Sequence, residues 1–297
     1  MLEAQAGDLK KQERAHPRVS VVIPCHNAQK HIAECLESLL NQSLPAADFE
    51  LIVVDDGSTD QTVALVRKLA QAAGGRLRFF QQNHGGPALA RNLGAGQAQG
   101  RILAFLDSDM KFAPDFLEKL IAPIEAGEVI GTFTLDEFVA NVANLWSRSW
   151  SVCYYLPPDR RVPESLKDEE STVFRAIRKA DFMRVGGFDS TGYHDDHTVA
   201  HKLNQTARRV PGAICYHYNP GSISDVFASA RWIGKSDKQP SNLKEWLRRS
   251  PPGALKRGIA RAIEEKEPFY VIFEQVYSFG IITGMFWRYV LKKDHSR

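Results

Sequence analysis

The sequence predicts an α/β fold: a doubly wound, mixed sheet of mainly parallel strands flanked by helices, followed by a helical carboxy-terminal appendage. Two observations predict it. Short β-branched runs alternate with amphipathic helix patterns through the first part of the chain. Most of those runs also end in polar clusters, as strands do when ligands bind beyond their carboxyl ends.

The elements follow in order. Val19 to Pro24 is a β-branched run of the kind buried on both faces of a parallel sheet. Ile32, Cys35, Leu36, Leu39 and Leu40 then recur at the spacing of a helix with one apolar face. Leu51 to Val54 is a second buried strand, stopped by Asp55, Asp56 and Gly57. Val63, Leu65, Val66 and Leu69 give another helix, Leu77 to Phe80 a strand, and the Ala-rich stretch Pro87 to Ala98 a helix. Ile102 to Leu106 is the fourth strand. Beyond it the pattern is less regular. Val129 to Leu135 reads as a strand, Phe138 to Trp150 as a helix, and 151–170, rich in Pro and charged residues, as a mobile loop. Ala180 to Val185 is a short helix closed by Gly186 and Gly187, Asp195 to Ala207 a helix entered through acidic residues, and Ala213 to Tyr218 a strand. From Ser224 onward the chain reads as helical, with a break at Pro251-Pro252-Gly253.

At 297 residues the chain has room for one large domain with an appendage or for two small ones. A formal net charge of +3 gives no footprint for a nucleic-acid partner, and none is expected. Cys25, Cys35, Cys153 and Cys215 show no paired spacing and sit among apolar residues, where a free thiol acts as a small core side chain. The first residues are charged and lack an apolar stretch, so the expectation is a reducing, cytoplasmic compartment.

Three strand ends carry the chemistry: Pro24-Cys25-His26-Asn27, Asp55-Asp56-Gly57-Ser58 and Asp107-Ser108-Asp109. Each alone is also a common turn sequence. Carboxylates brought together on one sheet edge repel, however, unless they share a cation or a polar ligand. Asp at alternate positions of a strand end aims two hard oxygen ligands the same way, which suits a divalent cation.

Val19 to Asn27, Asp55-Asp-Gly-Ser-Thr-Asp60, Gly85-Gly-Pro-Ala-Leu-Ala-Arg-Asn92, Phe105-Leu-Asp-Ser-Asp109 and Gly186-Gly-Phe-Asp189 stand in the order and spacing of a known family. Over roughly residues 18 to 235 the chain resembles the family 2 glycosyltransferases. The resemblance implies the glycosyltransferase-A fold and inverting transfer of one sugar from a nucleoside diphosphate sugar, a UDP-sugar first, to a carbohydrate or lipid-linked acceptor. It implies a divalent cation, Mn2+ or Mg2+, with Asp109 as direct ligand and Asp107 touching the ribose or reaching the metal through water. Asp56 resembles the carboxylate that accepts the N–H of the base; Pro24, His26 and Asn27 line the other side of the nucleoside pocket, and Ser108 belongs to the same donor-binding set. The family more often has an aromatic residue where His26 stands. Arg91 resembles the arginine that bonds base or phosphate, and His217 a late histidine that approaches the metal or pyrophosphate. The family's acidic pair after the Gly-Gly-Phe-Asp element is matched by Asp195-Asp196, with Asp in place of the usual Glu first. Asp196 is the expected catalytic base and Asp195 its neighbour in that role.

Blander readings stand beside these. Arg91 also has a reading as a helix-surface arginine, Asp195 and Asp196 as helix caps, and His217 as a core histidine. His197 and His201 have a spacing that can bind zinc, or they are a solvated or partly buried pair. A dinucleotide-dependent dehydrogenase would need its glycine fingerprint after the first strand, where Pro24-Cys25-His26-Asn27 stands. A processive polysaccharide synthase needs several long apolar segments and a Gln before Arg231-Trp232, where Ala228 stands. A catalytically inactive sugar-nucleotide-binding scaffold is the alternative from outside enzymology.

The expected organisation is a tail over 1–17, a catalytic domain over 18–223 with nucleotide-binding (18–110) and acceptor-binding (111–223) halves, and a helical region over 224–297. In that last region Phe269 to Leu291 is apolar, aromatic and long enough to span a bilayer. Tyr270, Tyr277, Trp287 and Tyr289, with Arg248, Arg249, Lys256, Arg257 and Arg261 upstream and Lys292-Lys293 beyond, favour a helix lying on the cytoplasmic face of a membrane. Packing against the protein, or a span, are the alternatives.

Overall fold

Strand β1 (Val19–Cys25) organises the sheet because it pairs in parallel along both edges. On one side lies β2 (Phe49–Asp56), on the other β4 (Ile102–Phe105). A strand enclosed in this way has no face left for water, and every β1 residue except Pro24 is buried. These features come from a computed structural model that describes residues 16–163, 168–191, 194–236 and 249–289. The expected tail, apart from His16 and Pro17, and the basic residues Arg248, Lys292 and Lys293 lie outside them.

The chain folds as two compact units. The first takes residues up to Asp136, Lys167–Ser190 and Asp195–Cys215. It carries an eight-stranded sheet in the order β3-β2-β1-β4-β9-β6-β10-β8, where β3 is Leu77–Gln82, β6 Gly131–Phe133, β8 Glu170–Ser171, β9 Ala176–Arg178 and β10 Ala207–Arg209. Strand β9 runs antiparallel to both its neighbours, β4 and β6, while β2 with β3 and β6 with β10 are parallel. The mixed sheet matches the expectation. The chain winds outward from β1 to β3 and returns on the far side as β4, which puts the topological switch between β1 and β4.

Alternate residues feed opposite faces of this sheet. Val21, Ile23, Leu51 and Val53 pack with α1 (Ile32–Leu40), α2 (Thr62–Ala72) and α4 (Phe116–Glu125). Val22, Ile52 and Val54 pack with α3 (Pro87–Gln97), α6 (Lys179–Arg184) and α7 (Thr198–Leu203). Helix α3 rides unusually close to the strands at Gly94, where an added Cβ would collide with Val22 Cγ1 and reach Val54 Cγ2 at 3.3 Å. That approach brings Arg91, three residues earlier, to the strand ends.

The second unit takes Glu137–Leu166, Thr191–His194 and Tyr216–Arg297. It therefore joins the expected appendage to segments assigned to the acceptor half, and the boundaries at 111 and 223 are not those of the fold. The expected helix over 138–150 is two elements. Glu137–Val139 is a strand, and α5 (Leu145–Cys153) starts only at Asn144, whose side chain accepts from the backbone N–H of Trp146 and Ser147 at 2.9 and 3.2 Å. The expected loop from 151 thus begins inside a helix, and its residues 164–167 lie outside the described set. In the first unit the expected helix over 195–207 also stops early. A three-ten turn at Asp195–His197 leads into α7, which ends at Asn204 in the left-handed conformation before β10.

Helices α8 (Ile223–Ser236) and α10 (Phe269–Tyr289) form the centre of the second unit, with α9 (Pro251–Glu264) against α10. Glycines let the backbones meet. A Cβ on Gly280 would lie 2.6 Å from Ala230 Cβ, and one on Gly284 2.8 Å from the Lys235 nitrogen. Phe273 is fully buried, and the buried carboxylate of Glu274 pairs with Arg257 at 3.0 Å. Several aromatics expected at a headgroup layer are instead committed inside the unit. Tyr270 is buried, the Tyr277 and Tyr154 hydroxyls are 3.0 Å apart, and Trp287 lies under the Arg231 guanidinium. One exposed stripe remains on α10, Ile272, Phe279 and Phe286, recurring every seventh residue.

Because Val22 is stiff at χ1 and fully buried, the sheet has little room to yield to a methyl group on Gly94. Gly94→Ala is expected to lower stability by about 1–3 kcal/mol, read from urea unfolding midpoints. An unchanged midpoint would show that α3 has slack against the sheet.

Candidate active site

The Leu106 N–H still donates to the Val22 carbonyl at 3.1 Å, so the Asp107-Ser108-Asp109 turn leaves the sheet directly at the β1/β4 switch. Asp107 carries a guanidinium on each oxygen. Arg91 Nη2 donates to Oδ1 at 2.9 Å, and Arg175 Nη1 to Oδ2 at 2.9 Å. Arg91 also donates from Nη1 to Asp195 Oδ1 at 3.2 Å and lies over the Phe188 ring. Its side chain is only 13% exposed, which removes the reading of Arg91 as a surface residue. One arginine therefore joins the strand-end acid to the acidic pair.

That pair is split in environment. Asp195 is buried, and burial pushes its carboxyl up to about 6; Arg91 pulls it down, while Asp196 and Asp107 push it further up. Asp196 is partly exposed, yet its Oδ1 is covered and has no hydrogen-bond partner among the described residues. His197 Nε2 stands 3.5 Å from it, and the other ring nitrogen is 2.7 Å from Thr172 Oγ1. A covered carboxylate oxygen without a donor is uncommon in a folded protein. Neither aspartate caps α7, whose amino end has no side-chain cap.

The nucleoside side is built from the ends of β1 and β2. Asn27, with φ of 50°, ties the two together: its N–H donates to Ser58 Oγ at 2.8 Å and its Oδ1 accepts from the Thr59 N–H at 2.9 Å. His26 Nδ1 donates to the Asp56 carbonyl at 2.7 Å, leaving Nε2 to accept from Asn27 Nδ2 at 3.0 Å. Its ring stacks on His84 with centroids 4.2 Å apart. Pro24 is half-buried in β1.

Asp56 is engaged by its own neighbours. Its Oδ1 accepts from Gln82 Nε2 at 2.7 Å and the Gly85 N–H at 2.8 Å, and its Oδ2 from the Gly86 N–H at 2.9 Å, while His84 Nδ1, 2.8 Å from Oδ2, donates to the Asp56 backbone carbonyl at 3.1 Å. A carboxylate offers about four lone-pair sites, and three protein hydrogen bonds occupy them here. In this conformation Asp56 holds the turn over 82–86. His26, Asp56 and His84 are close enough together to suit a metal, but both histidine Nδ1 atoms are already donors within this network.

For a divalent cation the residues present fit. Asp107 and Asp109 supply hard oxygens at one strand end, and catalytic Mg2+ sites usually take one or two carboxylates, with phosphate and water completing the shell. Asp109 is half-buried and Ser108 partly exposed beside it. Their field is felt at Cys35, whose Sγ donates to the Asp107 carbonyl at 3.6 Å; burial first, then Asp109 and Asp107, push that thiol well above its usual range. His217 lies in the second unit with Nδ1 2.8 Å from Glu137 Oε1, so it is not in the unit that carries Asp109. His201 is exposed and no zinc-type grouping with His197 forms among the described residues.

Two residues of the site are absent from the motifs. His84 precedes the Gly85-Gly86 element and stacks on His26. Arg175 lies in the irregular segment before β9, where no pattern marks it. It is fixed by the sheet, since the Phe105 N–H donates to the Arg175 carbonyl at 2.9 Å.

Comparison with known proteins bears on this arrangement. The family described as Glycosyl transferase family 2 matches residues 20–186, more than half of the chain. The poly(ribitol-phosphate) beta-N-acetylglucosaminyltransferase TarS of Staphylococcus aureus is 41% identical over a stretch that covers 60% of this chain and only 35% of that protein. In structure, S. aureus TarS 1-349 in complex with UDP-GlcNAc superposes with a TM-score of 0.53 at 20% identity, covering 91% of each chain. The mannosyltransferase PcManGT from Pyrobaculum calidifontis, in complex with GDP-Man and Mn2+, gives 0.59 at 20% identity, covering 92% of this chain and 88% of the other. These likenesses show the glycosyltransferase-A fold.

The raised Asp195 carboxyl makes stability depend on pH in a stated direction. Between the ordinary value of 3.8 and about 6 the unfolded chain has lost this proton while the folded chain keeps it, so stability falls as pH rises. From pH 4 to 7 this group is expected to remove about 2–3 kcal/mol, a loss absent in Asp195→Asn. Urea midpoints of both proteins at four pH values test it, and identical pH slopes would refute the buried-carboxyl assignment.

Proposed function

The chain belongs to glycosyl transferase family 2, and on that premise we propose that it transfers a single sugar from a nucleoside diphosphate sugar to an acceptor hydroxyl with inversion at the anomeric carbon. The observation that carries this reading is the Arg91 bridge, which ties Asp107 of the donor edge to Asp195 of the acidic pair. Donor and acceptor chemistry then lie on one rigid scaffold, as direct displacement requires.

In this reading Asp196 is the base. Its undonated Oδ1 accepts the acceptor's hydroxyl proton while that oxygen bonds to the anomeric carbon and the bond to the diphosphate breaks. Arg91 keeps Asp195 ionised above about pH 6 and fixes the turn from which Asp196 projects. A divalent cation, manganese or magnesium, held by Asp109 supplies positive charge against the departing diphosphate. His26 and Asn27 border the base, and Asp56 acts through the 82–86 turn it holds. A UDP-sugar is the donor to test first, with UDP-GlcNAc at its head because a relative is named for that sugar; the acceptor class is a carbohydrate or a lipid-linked glycan precursor. The single-transfer reading is preferred to a processive synthase: among the described residues only Phe269–Arg288 is long and apolar enough to cross a membrane, and Arg231 of the Arg-Trp pair is used against Trp287.

Location belongs to the same proposal. We read the protein as cytoplasmic and peripheral on a membrane. The 44% burial of Phe269–Arg288, its glycine contacts with α8 and the Glu274–Arg257 pair favour a packed helix over a span. Contact with lipid then falls to the exposed stripe Ile272, Phe279 and Phe286, with Leu255, Ile259 and Ile263 on α9 and exposed Lys256 near them.

Asp196→Asn should bind UDP with near-normal affinity yet lose turnover by about a hundredfold or more, and Asp109→Ala should lose both donor binding and the response to manganese. NMR of the product linkage and calorimetry with UDP read these outcomes; retained anomeric configuration overturns the mechanism. On anionic vesicles, replacing Ile272, Phe279 and Phe286 together by Ser is expected to release the protein into the supernatant. Equal sedimentation of variant and parent would refute the lipid-facing stripe.

A further inference from the structure

We propose that His26 and His84, oriented by Asp56, form a transition-metal site that takes Zn2+, separate from the Asp107–Asp109 edge, and that a metal bound there excludes the nucleoside. Exclusion of the nucleoside rests on the glycosyltransferase reading above, which sets His26 beside the base; the metal site stands without it.

Both rings are in the tautomer that a metal needs. His26 Nδ1 stands 2.7 Å from the Asp56 backbone carbonyl, and His84 Nδ1 stands 3.1 Å from the same oxygen. A carbonyl oxygen only accepts, so each Nδ1 carries the proton. In the neutral ring the lone pair is then on Nε2, and His26 uses it to accept from Asn27 Nδ2 at 3.0 Å. An Nδ1–H held by a backbone carbonyl is the support that fixes a metal-binding histidine in tautomer and orientation. Here one carbonyl supports two rings. The Asp56 carboxylate is itself tied by Gln82, Gly85 and Gly86, so it orients the pair from a fixed position.

The fold also brings the rings together where an ion can reach them. His26 follows β1 and His84 follows β3, yet the rings stack with centroids 4.2 Å apart and planes 27° from parallel. Gly57, at φ 72°, permits the approach, since a Cβ there would stand 2.9 Å from the His84 backbone nitrogen. Candidate ligand atoms of His26, Asp56 and His84 all lie within 4.8 Å of one another, with both histidines exposed and Asp56 buried between them. For both lone pairs to meet on one ion the rings must tilt further, which exposed side chains do without moving the strands. Asn27 Nδ2 must also release His26, the loss of one exposed, uncharged hydrogen bond.

The chemistry of the donors sets the choice of ion. Imidazole nitrogens suit zinc and its neighbours, whereas carboxylates suit magnesium and manganese, so the two sites sort cations by type. Zinc has no geometric preference of its own and accepts two protein nitrogens with water in the open positions. Once bound it breaks the stack and sets a hydrated dication against the ring that borders the base. Metal and nucleoside then compete for one place.

Zn2+ affinity is measured by competition with a chromophoric chelator, and UDP affinity by calorimetry in Mg2+ with and without Zn2+. The parent chain, His84→Ala, His84→Phe and Asp109→Ala are compared. The parent and Asp109→Ala should hold their tightest Zn2+ equally well. Both His84 variants should bind it about tenfold or more weakly, the least that losing even a supporting residue costs such a site. His84→Phe keeps a ring beside His26 but has no lone pair, so it separates ligation from packing. Zn2+ should weaken UDP binding to the parent more than to His84→Phe; the Zn2+–UDP complex in solution is common to both and cancels. Equal Zn2+ affinity in the parent and the His84 variants overturns the metal site, as does its loss in Asp109→Ala. An equal effect of Zn2+ on UDP binding in parent and His84→Phe overturns the exclusion. Thermal unfolding reports whether each variant is folded, and if one His84 variant is not, the other decides. Failure of the parent to bind UDP in Mg2+ alone would defeat the donor reading and the exclusion with it, while chelator competition still decides the metal site.

Discussion

The site depends on one guanidinium serving two acids. Arg91 stands on a helix that rides close to the sheet at Gly94, and from there it reaches Asp107 on one side and Asp195 on the other. Two carboxylates sharing a low-dielectric region with no cation between them would repel and partly neutralise by taking up protons. With Arg91 between them both can be charged, and the strand end and the three-ten turn acquire a fixed relation. The order of strands makes this possible, because the switch between β1 and β4 leaves an opening beyond the sheet at the point where α3 ends its approach.

Much of the first unit was legible because its signals are local. Val19 to Pro24 and Leu51 to Val54 are uninterrupted β-branched runs, and burial on both faces is the one environment that tolerates them. Asp107, Asp109 and Asp195-Asp196 follow strand or glycine punctuation at fixed offsets, so they stand out in the sequence as a set of candidates. Arg175 was not legible, since its role comes from antiparallel pairing of β9 with β4, a contact between distant segments that leaves no periodicity. Short strands such as β10 fail for the same reason: three residues of sheet carry too little pattern to outweigh the helix signal before them.

Misread elements have specific causes. Phe138 to Trp150 looked helical because the tryptophans recur at helical spacing, but that spacing belongs to the stretch after Asn144, where a side-chain cap starts the helix. The carboxy-terminal aromatics were read against lipid when their first demand is mutual packing: Trp146 meets Phe269 edge-on with centroids 4.7 Å apart, and Trp150 meets Tyr277 at 5.7 Å. Composition alone cannot separate these uses of an aromatic. The donors that Asp56 receives from Gly85 and Gly86 belong to a turn whose shape only the folded chain reveals.

Cys35 offers an internal gauge of the site. Its Sγ donates to the carbonyl of Asp107, its side chain is fully buried, and its thiol is held protonated far above neutrality. A thiol in that state scarcely reacts with alkylating reagents, because the thiolate is the nucleophile. Reaction requires the chain to open locally around α1 and the turn after β4. The rate at which Cys35 is alkylated in the native protein therefore reports how often the turn carrying Asp107 and Asp109 comes apart, and any ligand that braces that turn will make this cysteine react more slowly.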